Sequence, residues 1–416
     1  MSARKIVAKN TLIQIVGKVI TASSTLLVMI LVTRHFGPAG FGDFTIMITF
    51  PTLFWIMADF GFNATVIREI SKDKEKTQRY FSNLLLLRFA IALFFTILAL
   101  IILHFLPYSP MVKLGASLNL GTLFMMSLFS SSQALFQANL KYSWQVLAQI
   151  LAALFNLGLV FIFICLAKSL LWVALSSLFG NFLLAGVSLF FVRYFVSLRK
   201  IRWEGRLAKS LFLATLPIGL ALIFDILDVK VDTFMLSVLP LPQNQTNSAA
   251  VGYYGSAFKI FEVILTIPFF FMSAVYPILV RRLKDSRKAA EKLFSKSLLT
   301  LLGLSVLAVL CGEPLVPFVI RILAGPQFGE SILALRILLL ALPVFFMTSL
   351  FMHSLLAMER QRVLPWIYAS ALVLNLVLNS IFIPRYSFIA AATITGITET
   401  FILSCLACFA IREFRV

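Results

Sequence analysis

Charge is scarce in this sequence. Only 13% of its 416 residues are Asp, Glu, Lys or Arg, against about 25% in a water-soluble domain. Apolar residues reach 60%, where soluble domains average roughly 45–50%. That surplus is too large to bury in one aqueous core, so an ordinary soluble fold is excluded. Cysteine is also sparse: Cys165, Cys311, Cys405 and Cys408 are the whole complement. Four thiols so spaced form neither a disulfide framework nor a zinc site. Cys405 and Cys408 make a C-x-x-C inside an apolar run, where Cys packs as a small hydrophobe. Long polar stretches are missing too, which leaves no room for a globular domain between apolar segments. The apolar runs do not alternate with polar residues, and this excludes a membrane β-barrel.

What remains is a chain built of spanning helices. A transmembrane helix needs about 20 mostly apolar residues. Twelve segments qualify: 11–32, 44–66, 84–106, 114–137, 144–166, 170–192, 211–239, 251–280, 297–320, 332–358, 365–383 and 388–411. The first exceeds the apolar core of a secretory signal, about 7–15 residues, and reads as a helix of the mature fold. The expected fold class is all-α integral membrane, with about twelve transmembrane helices in two six-helix lobes around a central cavity. Residues 1–192 form the first lobe, 193–210 a basic cytoplasmic linker, and 211–416 the second lobe. The linker, with Trp203 among six cations, reads as an amphipathic surface helix.

The net charge of +19 would point to nucleic acid in a soluble protein. Its distribution gives a different reason. With the N-terminus inside, 26 of the 36 Lys and Arg fall in inner segments and 5 in outer ones. This excess puts both termini in the cytoplasm and removes the need for a nucleic-acid partner. Trp144, Trp172 and Trp366 sit at span ends, where indole favours the interface. The halves echo one another: Ala39-Gly40-Phe41-Gly42-Asp43-Phe44 opens the second span and Ala250-Val251-Gly252-Tyr253-Tyr254 the eighth. Six spans separate them, so the repeat is parallel, about an axis along the membrane normal.

Function then rests on the few charges inside spans. Each costs at least about 2.5–3.5 kcal/mol at mid-bilayer, so it faces a cavity, a partner or water. Lys18, Arg88, Lys259 and Arg336 are candidates for a cationic cavity lining. Ammonium and guanidinium groups bind phosphate through charge-assisted hydrogen bonds, so a diphosphate head group fits such a lining. The carboxylates Asp59, Asp225, Asp228, Asp232, Glu262 and Glu399 are candidates for cavity or ion-coupling groups. Asp225, Asp228 and Asp232 recur at helical spacing and share an arc of roughly 60°, suited to H+ or Na+. Lys230 points nearly opposite, outward or toward a neighbouring helix. Lys259 and Glu262, three apart, share a helix face, so static pairing between them is the plainer alternative. Pro51, Pro217, Pro268 and Pro343 interrupt spans and are expected to bend them. Asn244-Gln245-Thr246 fits a glycosylation sequon by pattern alone.

Several segments, in order, carry a family likeness. They are Lys9-Asn10-Thr11, Arg34-His35-Phe36-Gly37-Pro38, Ala58-Asp59-Phe60-Gly61-Phe62, Leu216-Pro217-Ile218-Gly219, Val251-Gly252-Tyr253-Tyr254 and Ile383-Pro384-Arg385-Tyr386. The chain resembles the polysaccharide-biosynthesis (O-antigen type) flippases of the multidrug/oligosaccharidyl-lipid/polysaccharide (MOP) exporter superfamily. The resemblance implies alternating access and a central cavity for anionic glycolipid in the plasma (inner) membrane. It points to Lys18, Asp59, Asp228, Lys259 and Glu262 as lining, to membrane lipid and lipid-linked oligosaccharide as partners, and to glycan-assembly membrane proteins as neighbours. No cofactor, metal or catalytic residue is expected, beyond H+ or Na+ coupling. A multidrug/cation antiporter of the same superfamily is the nearest alternative. A membrane-embedded polymerase or glycosyltransferase is further off, because the longest outer loop, 239–250, holds neither charge nor His.

Overall fold

A computed structural model describes residues 3–242 and 245–415; the side chains of 3–9, 11, 64, 217, 218, 221, 222, 225, 284 and 413–415 lie outside the description. Fourteen α-helices and short 3-10 turns account for the described residues, with no strand among them. Asn244, the sequon residue, falls outside the described residues.

Every one of the twelve apolar segments lies on helix. Eight helices among the described residues are long and apolar enough to cross a membrane, nine if a bent pair counts as one. Two of the eight hold two spans each. Helix α1 (Ala3–Asp59) contains a 48-residue apolar stretch, about 72 Å at 1.5 Å per residue and so more than twice a bilayer core. It is broken at Gly37, with φ 67°, a left-handed value that costs glycine little. Helix α14 (Leu364–Arg415) is broken likewise at Ser387, φ 51°. The bent pair is α12 (Ser331–Leu340) and α13 (Leu342–Ala357), which meet at 44°. Pro343 is the second residue of α13 and Pro268 the third of α10 (Thr266–Asp285), which follows α9 (Asn247–Ile264). Both prolines therefore sit in a first helical turn, where a missing N–H costs nothing, and each marks a break rather than a bend. Pro51 lies within α1, and the side chain of Pro217 is outside the described residues.

The chain packs as two compact units, Met1–Phe36 with Asp43–Ile223, and Gly37–Gly42 with Phe224–Val416. The division falls inside α8 (Gly205–Val238), not in the basic segment 193–210. The first unit holds α2 (Phe62–Lys72), α3 (Thr77–Phe105), α4 (Pro110–Asn119), α5 (Thr122–Ala138), α6 (Tyr142–Cys165) and α7 (Leu170–Val192). Its core near one end gathers Phe62, Val66, Phe81, Leu84, Phe136 and Val192. Trp144 joins that cluster, stacked on Phe191 at 5.0 Å, whereas Trp172 and Trp366 are exposed as interfacial indoles should be.

The basic linker is not an amphipathic helix. Residues 193–196 form turns, Leu198–Lys200 a 3-10 turn, and residues 201–204 carry no regular structure before α8 begins at Gly205. The reason is that α3 supplies its hydrogen bonds. Gln78 Oε1 accepts from the Ser197 N–H at 2.7 Å, and Asn83 Oδ1 accepts from the Glu204 N–H at 2.7 Å. Arg79 Nε donates to both Glu204 oxygens at 2.8 and 2.7 Å. That guanidinium hydrogen bond holds the Glu204 carboxyl below its ordinary range. The contact is thus present at neutral pH and fades only as pH falls through that depressed value.

In the same unit the second span is interrupted. Phe60 and Gly61 take φ of 51° and 65° between α1 and α2. Arg88 of α3, fully buried, braces this break. It donates to Asp59 Oδ1 at 2.9 Å, Asn63 Oδ1 at 3.1 Å and Ser131 Oγ at 3.2 Å. Helix α8 reaches the break from another side: a Cβ on Gly219 would sit 2.7 Å from the Phe60 carbonyl oxygen.

In the second unit, the segment 37–42 is pressed against the start of α9. A Cβ on Gly42 would run into the Ser248 carbonyl, and one on Gly252 into that of Pro38. The two echoing sequence segments thus meet through their glycines. Phe41 adds an edge contact with Phe328 at 6.2 Å.

Three outcomes are expected in thermal unfolding of the purified chain. Gly252→Ala should lose about 1–3 kcal/mol, because backbone cannot give way as a side chain does. Gly158→Ala, where nothing lies within 4 Å of the new Cβ, should be neutral or slightly stabilising. Arg88→Met should cost about 3–5 kcal/mol by stranding its partners, and adding Asp59→Leu should restore a substantial part.

Candidate functional site

The charges of the second unit gather where α8, α9 and α14 meet. Helix α8 places Asp228, Lys230 and Asp232 within two turns, and α9 contributes Tyr254, Lys259 and Glu262. Asn375, Asn379, Thr395, Thr398 and Glu399 come from the two parts of α14. Lys259 lies 12 residues into α9, about 18 Å along the axis. Lys230 lies 8 residues from the end of α8, about 12 Å along its axis. Both are deep within spans.

Two networks form there, with opposite electrostatics. The first surrounds Asp232, which is fully buried. Its carboxylate accepts from Asn379 Nδ2 at 2.6 Å, Thr395 Oγ1 at 2.7 Å and Tyr254 OH at 3.1 Å. Asn379 Nδ2 also donates to Asn375 Oδ1 at 2.6 Å. These hydrogen-bond partners are all neutral, so the buried negative charge is solvated but not balanced by them. The oxygen Oδ1 of Asn379 and the nitrogen Nδ2 of Asn375 are buried without a hydrogen-bond partner.

The second network is an ion triad. Glu262 Oε1 accepts from Lys230 Nζ at 2.7 Å, and Glu262 Oε2 accepts from Lys259 Nζ at 2.9 Å. One carboxylate between two ammonium groups leaves one positive charge over. Lys230 Nζ also lies 5.5 Å over the Phe258 ring. A cavity of about 230 Å³ adjoins both networks, lined by Asp228, Glu262 and Glu399 with Asn375, Thr395 and Thr398 among its polar walls.

The sequence candidates separate accordingly. Asp228, Asp232, Lys259, Glu262 and Glu399 converge here, and Asp228 and Asp232 are buried as their shared arc required. Lys230 is not turned to lipid; it meets α9, because Glu262 offers it a partner. The side chain of Asp225 lies outside the described residues. Arg336 does not line this cavity: its side chain is 46% exposed and meets Glu313 at 3.5 Å. Arg88 and Asp59 pair with each other in the first unit, so Arg88 has no open face for a ligand. Lys18 is exposed on α1. Tyr254, Asn375, Asn379 and Thr395 were legible only as family motif residues or as unremarkable span polars, since a neutral side chain carries no insertion penalty large enough to mark it. Among the described residues no group of three His, Cys, Asp or Glu could hold a metal ion, and the four thiols are free.

Comparison with known proteins bears on the family and the fold. The family described as polysaccharide biosynthesis protein matches residues 7–283, and the MatE family matches residues 231–381. A solved lipid II flippase MurJ, in an inward closed conformation, superposes with a TM-score of 0.79 at 16% identity, covering 97% of this chain and 89% of that one. An inward-facing multidrug resistance MATE family transporter of the MOP superfamily gives 0.79 at 15%, covering 95% and 94%. A MOP superfamily transporter from Pyrococcus furiosus, whose binding pocket is described as having reverse polarity, gives 0.66 at 15%, covering 99% and 96%. Comparison with curated proteins gives no match. The fold is that of these multi-pass membrane transporters, and the chain belongs to the polysaccharide biosynthesis protein family.

Proposed function

We propose that the protein is a flippase for lipid-linked oligosaccharide, a polyprenyl-diphosphate sugar, in the plasma (inner) membrane. It works by alternating access, serves cell-surface polysaccharide synthesis, and keeps both termini in the cytoplasm. Glycan-assembly membrane proteins would supply its substrate and take up its product. The observation that carries this reading is the pair of lysines, Lys230 and Lys259, held deep in α8 and α9 around one carboxylate. A surplus positive charge at that depth is costly and suits a group that returns negative charge. A diphosphate does so, and accepts charge-assisted hydrogen bonds from both ammonium groups.

The Asp232 network supports coupling to H+ or Na+. A carboxylate wholly removed from water is expensive without a counter-charge, and its hydrogen-bond partners here are neutral. Asp232, Thr395 and the amide oxygen of Asn375 are oxygens of the kind hard cations take, grouped around the Asn379 amide nitrogen that now donates to Asp232 and Asn375. Bound there, a cation would supply the balancing charge. The chain's own part is to hold Asp232 from α8 against the two parts of α14.

A second reading has one observation in its favour. Three carboxylates, Asp228, Glu262 and Glu399, line the cavity, and an acidic pocket would also suit an organic cation, as in a multidrug antiporter.

Liposome reconstitution separates the two. A fluorescent polyprenyl-diphosphate sugar should cross protein-containing vesicles, and Lys259→Gln should slow it at least about tenfold, the loss of one hydrogen bond to a charged group. Ethidium efflux with no movement of the diphosphate probe would favour the antiporter. Asp232→Asn should leave the protein folded and make residual transport indifferent to imposed proton and sodium gradients. A variant that still follows either gradient as wild type does would remove Asp232 from coupling.

A further inference from the structure

The ion triad carries more than a pair of binding cations. A salt bridge whose only task was to lock α8 to α9 would need one lysine. Here Glu262 turns a separate oxygen to each of two, at 2.7 and 2.9 Å. Nor are the three sealed away: the side chains of Lys230, Glu262 and Lys259 are 26%, 30% and 37% exposed. The carboxylate presents two oxygens with nearly the bite of two oxygens of a phosphate. It therefore occupies the place a phosphate would take between the same ammonium groups. We infer that Glu262 is an internal stand-in for the substrate's phosphate: it neutralises Lys230 and Lys259 in the empty transporter and is displaced by the anionic head group on loading. This rests on the flippase reading and adds Glu262 to it, as a competitor for the two lysines that reading already uses.

The exchange has a physical use. Two bare ammonium groups inside a span would be unstable when empty and would hold a diphosphate too tightly to release it. A tethered carboxylate limits both costs, since it returns as the ligand leaves. The displaced side chain also has room to turn, because Glu262 already lines the cavity of about 230 Å³, where the buried Asn375 Nδ2 lacks a partner.

The test is binding of farnesyl diphosphate to the full chain in neutral-lipid nanodiscs, by calorimetry, with sodium pyrophosphate as the chain-free control. Glu262→Gln removes the competing charge at constant size. It should bind about tenfold tighter than wild type, the worth of one hydrogen bond to a charged group, while transport in liposomes slows because release is hindered. Lys230→Gln should weaken binding several-fold. Glu262→Asp, which retains the charge on a shorter arm, serves if the amide variant does not fold; it should tighten binding by a smaller factor. If wild type binds the diphosphate and the folded Glu262 variants bind it equally or more weakly, the stand-in role is overturned and the flippase reading stands. If neither wild type nor a variant with an unchanged melting temperature binds either probe, both fall.

Discussion

An ionised side chain inside an apolar helix has to be met by something, and that requirement organises both units. Insertion of one charge costs more than most single packing contacts return. The chain meets the cost in three physical ways. Arg88 is enclosed by an acid, an amide and a hydroxyl. Glu262 is shared between two lysines. Asp232 is held by neutral donors on α9 and α14. The first arrangement is closed and structural. The other two are incomplete in opposite senses, one with positive charge to spare and one with negative.

Helix breaks are the second consequence of the same economy. A broken helix frees backbone polar groups, which hydrocarbon cannot satisfy. Each break is therefore set against protein. Phe60–Gly61 is braced by Arg88 and approached by α8 at Gly219. Gly37 opens the segment that presses its backbone against α9. The glycines at 42 and 252 are needed because carbonyls of Ser248 and Pro38 occupy the space that a side chain would fill.

Much of this was written in the sequence, for identifiable reasons. Hydropathy is a property of continuous runs, so the apolar helices could be placed, eight or nine of them long and apolar enough to cross a membrane among the described residues. The paired Asp228 and Asp232, and Lys259 with Glu262, followed from 3.6-residue periodicity and a steep insertion cost. What escaped was whatever depends on partners far along the chain. Lys230 looked outward or toward a neighbouring helix, with no partner named, because its own helix offered no acid on that side; its partner is Glu262 on α9. The linker looked helical by charge and Trp203, but Gln78, Arg79 and Asn83, over a hundred residues earlier, hold it in an irregular path. Arg336 looked like cavity lining, but it meets Glu313 instead. The polar neighbours of Asp232 on α14 were hardest to find, because Asn and Thr are tolerated in spans for many reasons.

Helix α8 is where these strands of reasoning join. Its first part packs with the first unit and its last part with the second, the division falling between Ile223 and Phe224. Asp228, Lys230 and Asp232 all lie beyond that point, four, six and eight residues past Phe224. Lys230 belongs to the positive network and Asp232, two residues on, to the negative one. A helix is stiff over one turn, so a shift of α8 that satisfied one network would be transmitted to the other. Cation and anion sites set on separate helices would lack that rigid link. Placing them two residues apart on α8 gives the chain a short physical route by which the balance of charge at Asp232 bears on how firmly Lys230 holds Glu262.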